Sequence, residues 1–432
     1  MLYRFLKVII RFGIRLFYKE IKLLNKHHLD HDGPTILVAN HPNTLMDAWM
    51  VGYVSKRPVY FMAKATFFSS PFKKWLLGKL FMIPVNRSND SKTKGVSNSD
   101  SFEACYELME KGGVLAIFPE GSSFQERRLR EIKSGAARIA LGAQKRNNNA
   151  LHLNIIPIGI FYSDPEHFRS QVLIHVGAPI PVQYDEQQSN QHRALSQLIK
   201  EKLEQVIPTP TNSISQEKDI ELLVNLLWER SYFQFKTVSS KAKMYQDLQV
   251  KLDEMSVTKP YLLDEIMTET KSLIWKLHKL NLPYAIVRKS DYYKVVRDKL
   301  IFGVLMQVVL FPLVFLGFVQ NIIPYLLTDF ILMKKVKEVE YHAALGVLLG
   351  FILYPLNYFG FTMLLNRVVP LTIEYQLMYW SFMVVTGLLA YSNVRKWKFL
   401  AGQVRWYQLL KGHQKLIKHI ASQMQKIQEK LW

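Results

Sequence analysis

Apolar and polar positions follow three different patterns along this chain, and each predicts a different kind of structure. From residue 34 to about 180, short apolar runs rich in β-branched and aromatic residues alternate with segments of helical length; the runs are TILVAN, VYFMAK, FMIPVNR, GVLAIFPEG, NIIPIGIF and VLIHVGAPI. Unbroken apolar runs of this length predict strands buried on both faces. Their alternation with helices predicts an α/β domain over residues 28–207, a mixed sheet flanked by helices. In residues 1–27 the period is helical. Arg4, Lys7, Arg11, Arg15, Lys19 and Lys22 fall on one side, and most of Phe5, Leu6, Ile9, Ile10, Phe12, Leu16 and Phe17 on the other. That pattern predicts an amphipathic helix lying on a membrane surface, with its cations on anionic head groups. The alternative is a helix packed on the following domain with a solvated basic face. A basic residue interrupts the apolar ones every three or four positions, which argues against a secretory signal.

The third pattern has no period. No charged residue occurs from Leu300 to Thr328, from Ala343 to Asn366 or from Tyr375 to Val394. Each stretch can reach across a hydrocarbon core of roughly 30 Å, so residues 299–395 are expected to hold transmembrane or re-entrant segments. Pro312, Gln320, Asn321 and Pro324 interrupt the first stretch and predict a hairpin that dips into the membrane and returns, followed by two spans. The rival is three full spans, which would carry the basic tail (residues 396–432) across the membrane, against the positive-inside tendency. IPTPTNSISQ, at 207–216, has the character of a linker, and 208–298 reads as a charged helical linker module.

Charge narrows the partners. Lys and Arg number 56 against 35 Asp and Glu, a formal net charge of +21. That excess suits anionic membrane lipids or a phosphorylated substrate. A nucleic-acid partner is not expected, because neither a zinc-ligand set nor an RNP-like aromatic strand accompanies the charge. The single cysteine, Cys105, lies in the amphipathic stretch DSFEACYELMEKGG and is expected to pack in the core. KHHLDHD, at 26–32, superficially resembles metal ligands. Sequence neighbours in a loop seldom converge on one ion, so no metal and no other cofactor is expected.

Chemistry concentrates at predicted strand ends. NHPNTLMD follows the first run and PVNRS the third, FPEGSS follows the fourth, and IPIGIF lies within the fifth. If these ends share one edge of the sheet, His41, Asp47, Arg87 and Glu120 converge there. A histidine held by a carboxylate accepts a proton from a hydroxyl near neutral pH, an arginine grips phosphate, and the Gly121-Ser122 turn after Glu120 offers backbone N–H groups to an anion. Ser122 and Ser123 are not read as nucleophiles, since PEGSS lacks the Gly-x-Ser-x-Gly elbow.

This ordered set, with KSGAARIAL after the third motif, resembles the PlsC-like glycerolipid acyltransferases, a family that includes glycerol-3-phosphate and lysophosphatidic acid acyltransferases. The common pattern there has four residues between His and Asp. This chain has five, Pro42 to Met46, and so resembles a subset that includes fungal acyltransferases accepting glycerol 3-phosphate or dihydroxyacetone phosphate. The resemblance implies that His41 is the general base and Asp47 its partner. It further implies that Arg87, Glu120, Gly121 and Ser122 bind the acceptor phosphate, and that Pro157 lines the acyl-donor pocket. The implied donor is acyl-CoA or acyl-carrier protein and the implied acceptor a phosphorylated glycerol, on the cytoplasmic face of a bacterial inner membrane or endoplasmic reticulum. A lysolipid or aminolipid acceptor is the alternative within the class. An inactive scaffold or a transporter is the alternative outside it, and the presence of both His41 and Asp47 and the lack of paired hydrophobic halves count against these.

Overall fold

The computed structural model describes residues 2–86, 98–208, 217–230, 237–282 and 293–431. The chain divides into two compact units: Met1–Ser213 with Thr237–Gln246 and Glu338–Val347, and the remainder.

The first unit begins with α1 (Leu2–Phe17), β1 (Glu20–Leu24), β2 (Thr35–Ala39), α2 (Thr44–Val54), β3 (Val59–Lys64), α3 (Pro71–Lys79) and β4 (Met82–Val85). It continues with α4 (Asn98–Glu110), β5 (Val114–Ile117), α5 (Gly135–Arg146), β6 (Asn154–Tyr162), β7 (Gln171–Val176), β8 (Ile180–Pro181) and α6 (Gln191–Glu204). Eight strands form one sheet in the order β1-β7-β6-β2-β5-β3-β4, with β8 paired to β6. The block β6-β2-β5-β3-β4 is parallel throughout, whereas β7 and β8 run antiparallel to β6. The ends of β2, β4, β5 and β6 therefore emerge at one edge, the condition for the four motifs to meet.

All six apolar runs form strands, and β2 and β6 are buried at every position, which is why they read as unbroken apolar runs. One face of the sheet is packed by Cys105 and Met109 of α4, Ala137 and Ala140 of α5, and Ile199 and Leu203 of α6. Fully burying a side chain of Ile or Leu size contributes about 1.5–3 kcal/mol. Burial also pushes the Cys105 thiol up to about 12, so the cysteine packs as an inert apolar group.

Two expectations for the N-terminus are corrected. Helix α1 ends at Phe17, and Glu20–Leu24 joins the sheet parallel to β7. The cations of α1 do not all point outward: Lys7 donates to the Ser55 carbonyl at 3.0 Å and Arg11 to the Tyr53 carbonyl at 3.1 Å, while Arg15 donates to the Tyr53 hydroxyl. These carbonyls close the C-terminal end of α2, where a helix favours positive charge. The exposed positions of α1 include Phe5, Val8 and Phe12 beside Arg4 and Arg15.

Beyond the first unit lie α7 (Glu217–Arg230), α8 (Val238–Thr258), whose first turns belong to the first unit, and α9 (Pro260–Lys279). They are followed by α10 (Tyr293–Lys335), α11 (His342–Asn366), α12 (Ile373–Gly412) and α13 (Gln414–Leu431). Among the described residues three helical stretches, Leu300–Lys335, Val339–Asn366 and Ile373–Gly412, are long and apolar enough to cross a membrane. The boundary expected at 395 is absent, because α12 continues unbroken into the tail.

The hairpin expected in the first stretch is also absent: α10 runs unbroken through Pro312 and Pro324. Proline at 324 lacks the N–H that would satisfy the Gln320 carbonyl four residues earlier, and the Asn357 amide of α11 donates to that carbonyl at 2.7 Å. The Asn321 amide donates to the carbonyls of Gly317 and Met383 and accepts from the Tyr358 hydroxyl. Gln320 donates to the Tyr379 hydroxyl at 2.8 Å. The polar residues that suggested a turn are cross-links between helices. A Cβ at Gly317 would lie 2.1 Å from the Thr386 carbonyl oxygen, so the small residue permits the close approach of α10 and α12.

Helix α13 packs on α9, with Lys430 ion-paired to Glu265 at 2.9 Å and Glu269 at 3.1 Å, and Lys276 bonded to Gln423. Because α9 precedes the apolar stretches and α13 follows them, their contact requires an even number of complete crossings in between. In a Cys105→Ser background, single cysteines at the exposed positions Tyr261 and Lys426 are therefore expected to react with an impermeant thiol reagent from the same side of sealed vesicles. Labelling from opposite sides would establish an odd number of crossings.

Candidate functional site

The turn leaving β2 carries His41, and the first turns of α2 carry Asp47. His41 Nδ1 lies 2.9 Å from Asp47 Oδ2, and the carboxylate is fully buried. The same Oδ2 accepts the Asn43 backbone N–H at 2.6 Å, and Oδ1 accepts the Tyr162 hydroxyl at 2.7 Å. Three donors offset the cost of removing this charge from water. The imidazole stacks on Phe118, the residue after β5, with centroids 4.0 Å apart and planes 11° from parallel.

Five intervening residues still bring histidine and aspartate together because Thr44 takes a left-handed conformation, φ +37°. That conformation is unfavourable for a β-branched residue. It is held by the Thr44 N–H donating to Ser123 Oγ at 3.0 Å and the Thr44 hydroxyl donating to the Glu340 carbonyl at 2.8 Å. The neighbouring Asn40 locks β2 to β6, its amide donating to the Ile160 carbonyl at 3.0 Å while its oxygen accepts the Ile160 N–H at 2.8 Å.

Glu120 reaches the cluster through two backbone N–H groups. Its Oε1 accepts the backbone N–H of His41 at 2.9 Å and its Oε2 that of Arg130 at 3.4 Å. Glu120 thereby acts as a strut between the histidine turn and the loop after β5. Burial raises its pKa above the usual carboxylate range, against the lowering effect of those two N–H groups. The Gly121 N–H closes a turn onto the Phe118 carbonyl at 3.1 Å. At φ +76° it requires a residue without a side chain, and a Cβ there would lie 2.7 Å from Lys133 Nζ. Ser122 follows in the same turn, half-buried.

Pro157 is not brought to this cluster. It is buried within β6 opposite Val38, short of the strand end. Arg87 lies outside the described residues. Three side chains not anticipated for this site take part in it: Tyr162 on Asp47, Ser123 on the Thr44 N–H and Lys133 beside Gly121. The exposed Lys133 ammonium has no ion-pair partner among the described residues. The three histidines of KHHLDHD take no part; His28 bonds the Val176 carbonyl and His31 the Asn154 amide.

A family model described as Acyltransferase matches residues 20–161. Over 135 residues the chain is 30% identical to Glycerol-3-phosphate O-acyltransferase 2 of Saccharomyces cerevisiae, a match covering 31% of this chain and 18% of that protein. It is 28% identical over 109 residues to 1-acyl-sn-glycerol-3-phosphate acyltransferase LPAT1, chloroplastic, of Arabidopsis thaliana, covering 25% of this chain and 29% of the relative. The chain thus spans less than a third of either relative. A solved structure, the 1-acyl-sn-glycerophosphate (LPA) acyltransferase PlsC from Thermotoga maritima, aligns with a TM-score of 0.34 at 17% identity, covering 46% of this chain and 79% of that one.

The strut at Glu120 makes a testable prediction. In Glu120→Gln one backbone N–H must face an amide NH2, and the expected loss of stability is about 1–3 kcal/mol, read from denaturant unfolding in detergent. The sign of the pH dependence follows from the raised pKa. The wild-type carboxyl holds its proton more tightly folded than unfolded, so its contribution is complete below about pH 4.3 and declines as pH rises through the raised value. That decline should vanish in Glu120→Gln.

Proposed function

We propose, from the premise that residues 20–161 form a PlsC-like acyltransferase domain, that the protein moves a fatty acyl group from an acyl thioester to a hydroxyl of glycerol 3-phosphate, with dihydroxyacetone phosphate as a related acceptor. The observation that carries this reading is the His41–Asp47 pair, 2.9 Å apart, at the carboxyl edge of the parallel strands.

With Asp47 engaging Nδ1, the tautomer that bonds it carries hydrogen on Nδ1 and a lone pair on Nε2, which is left to face substrate. Nε2 takes the proton of the acceptor hydroxyl as its oxygen attacks the thioester carbonyl carbon. The tetrahedral intermediate collapses with cleavage of the C–S bond, leaving the ester, and the imidazolium returns its proton to the departing thiolate. Asp47 steadies the imidazolium and fixes the ring; no group on the protein is acylated.

Acceptor phosphate recognition falls in this reading to Arg87, through the family resemblance, and to Lys133 beside Gly121. The donor is acyl-CoA or acyl-carrier protein. Anionic lipids hold the protein at the interface, where a long acyl chain and a polar acceptor meet. The catalytic unit faces the cytoplasm in this reading, since Glu338–Val347 belongs to it and the adjoining Lys334, Lys335 and Lys337 favour that side. The name of the plant relative points to a lysophosphatidic acid acceptor as the second reading.

Purified protein offered glycerol 3-phosphate, dihydroxyacetone phosphate and lysophosphatidic acid with acyl-CoA is expected to acylate the first fastest. His41→Ala should lower turnover by at least about 10²–10⁴. Full activity in that variant would remove the base from the mechanism. Arg87→Lys keeps the charge but loses the planar fork, so the KM for the acceptor should rise while that for the donor holds.

A further inference from the structure

We infer that Tyr162 is a positioning residue for acyl transfer, its buried phenol fixing the Asp47 carboxylate so that Oδ2 presents to His41; the inference rests on the proposed role of that histidine. The two oxygens of Asp47 are used unequally. Oδ2 receives both the His41 ring nitrogen and the Asn43 N–H, and Oδ1 receives the Tyr162 hydroxyl at 2.7 Å. Without a donor on Oδ1, rotation about the last bond of the aspartate would exchange the oxygens or turn the carboxylate plane away from the imidazole. Asp47 is fully buried, so solvent is a poor substitute for that donor.

The tyrosine is itself well fixed. It is the last residue of β6, two positions beyond Ile160, which Asn40 ties to the end of β2 through two hydrogen bonds. The register between the strand bearing His41 and the strand bearing Tyr162 is therefore set immediately beneath the site. Behind the phenol ring lies Tyr18, itself buried, at a centroid distance of 5.8 Å. Burial, and then the charge of Asp47, raise the Tyr162 pKa well above its ordinary value. The hydroxyl thus keeps its proton across the working range and acts as a fixed donor, with no part in carrying protons.

Removing the hydroxyl alone isolates this role. Tyr162→Phe should lower kcat about tenfold to a hundredfold, the scale of one lost hydrogen bond to a charged group. KM for acyl-CoA and for glycerol 3-phosphate should stay within about twofold, since the hydroxyl touches neither substrate. In an Asp47→Asn background, the same change should cost less than about twofold in kcat, because a residue acting through Asp47 loses its effect with the carboxylate.

Wild-type kcat in Tyr162→Phe would overturn the inference. So would an equal loss in the Asp47→Asn background, and so would a kcat decrease accompanied by raised KM for both substrates and a lowered melting temperature, the pattern of general structural damage. Should His41→Ala retain wild-type turnover, the base assignment itself fails and the tyrosine role with it. Loss of activity in His41→Ala beside an unaffected Tyr162→Phe removes only the role of the tyrosine.

Discussion

The buried carboxylate of Asp47 organises the first unit. Asp47 sits in a helix that begins three residues after His41, and three donors, two from the turn after β2 and one from the end of β6, offset its removal from water. Each donor imposes its own constraint. The Asn43 N–H requires a tight turn after β2, the imidazole requires the ring to face α2, and the Tyr162 hydroxyl requires β6 to end beside β2. The left-handed Thr44, the Asn40 clasp on Ile160 and the Glu120 strut all act on elements that meet this charge.

The fold of this unit was largely legible because parallel strands buried on both faces leave a plain record, an apolar run of strand length with no in-out alternation. The order of the motifs was legible for a related reason: each polar cluster terminates such a run, and strands that run parallel release their ends at one edge. β1 was not legible. Its sequence EIKLL continues the basic spacing of the preceding helix, and only pairing with β7 makes it a strand. The inward docking of Lys7 and Arg11 was equally hidden, since their partners are carbonyls 42 to 48 residues away. Tyr162 gave no signal either. A tyrosine closing an apolar strand is ordinary, and its partner becomes visible only once two strand ends are brought together. The bridge Glu120 makes between two backbone N–H groups was not legible, because a carboxylate in that role has the same sequence appearance as one facing a ligand.

In the apolar region, prolines and amides were read locally and proved to act between helices. The absent N–H of Pro324 and the amide of Asn357 are two halves of one interaction, separated by a complete helix end and loop. The expectation that the tail returns to the side from which the region starts receives support from a different source than the hairpin first invoked, namely the contact of α13 with α9. Basic side chains on α13 therefore serve intramolecular pairing as well as any attraction to lipid.

The burial of Cys105 has a practical consequence. As the only thiol in the chain, held in the core with its proton firmly bound, it contributes almost nothing to a chromogenic thiol titration of the folded protein. In the proposed reaction each acyl transfer from a thioester liberates one new sulfhydryl, so turnover of that kind would be directly visible as colour against an almost silent protein background. Growth of that background would in turn report opening of the core around α4, letting one reagent follow both chemistry and the integrity of the fold.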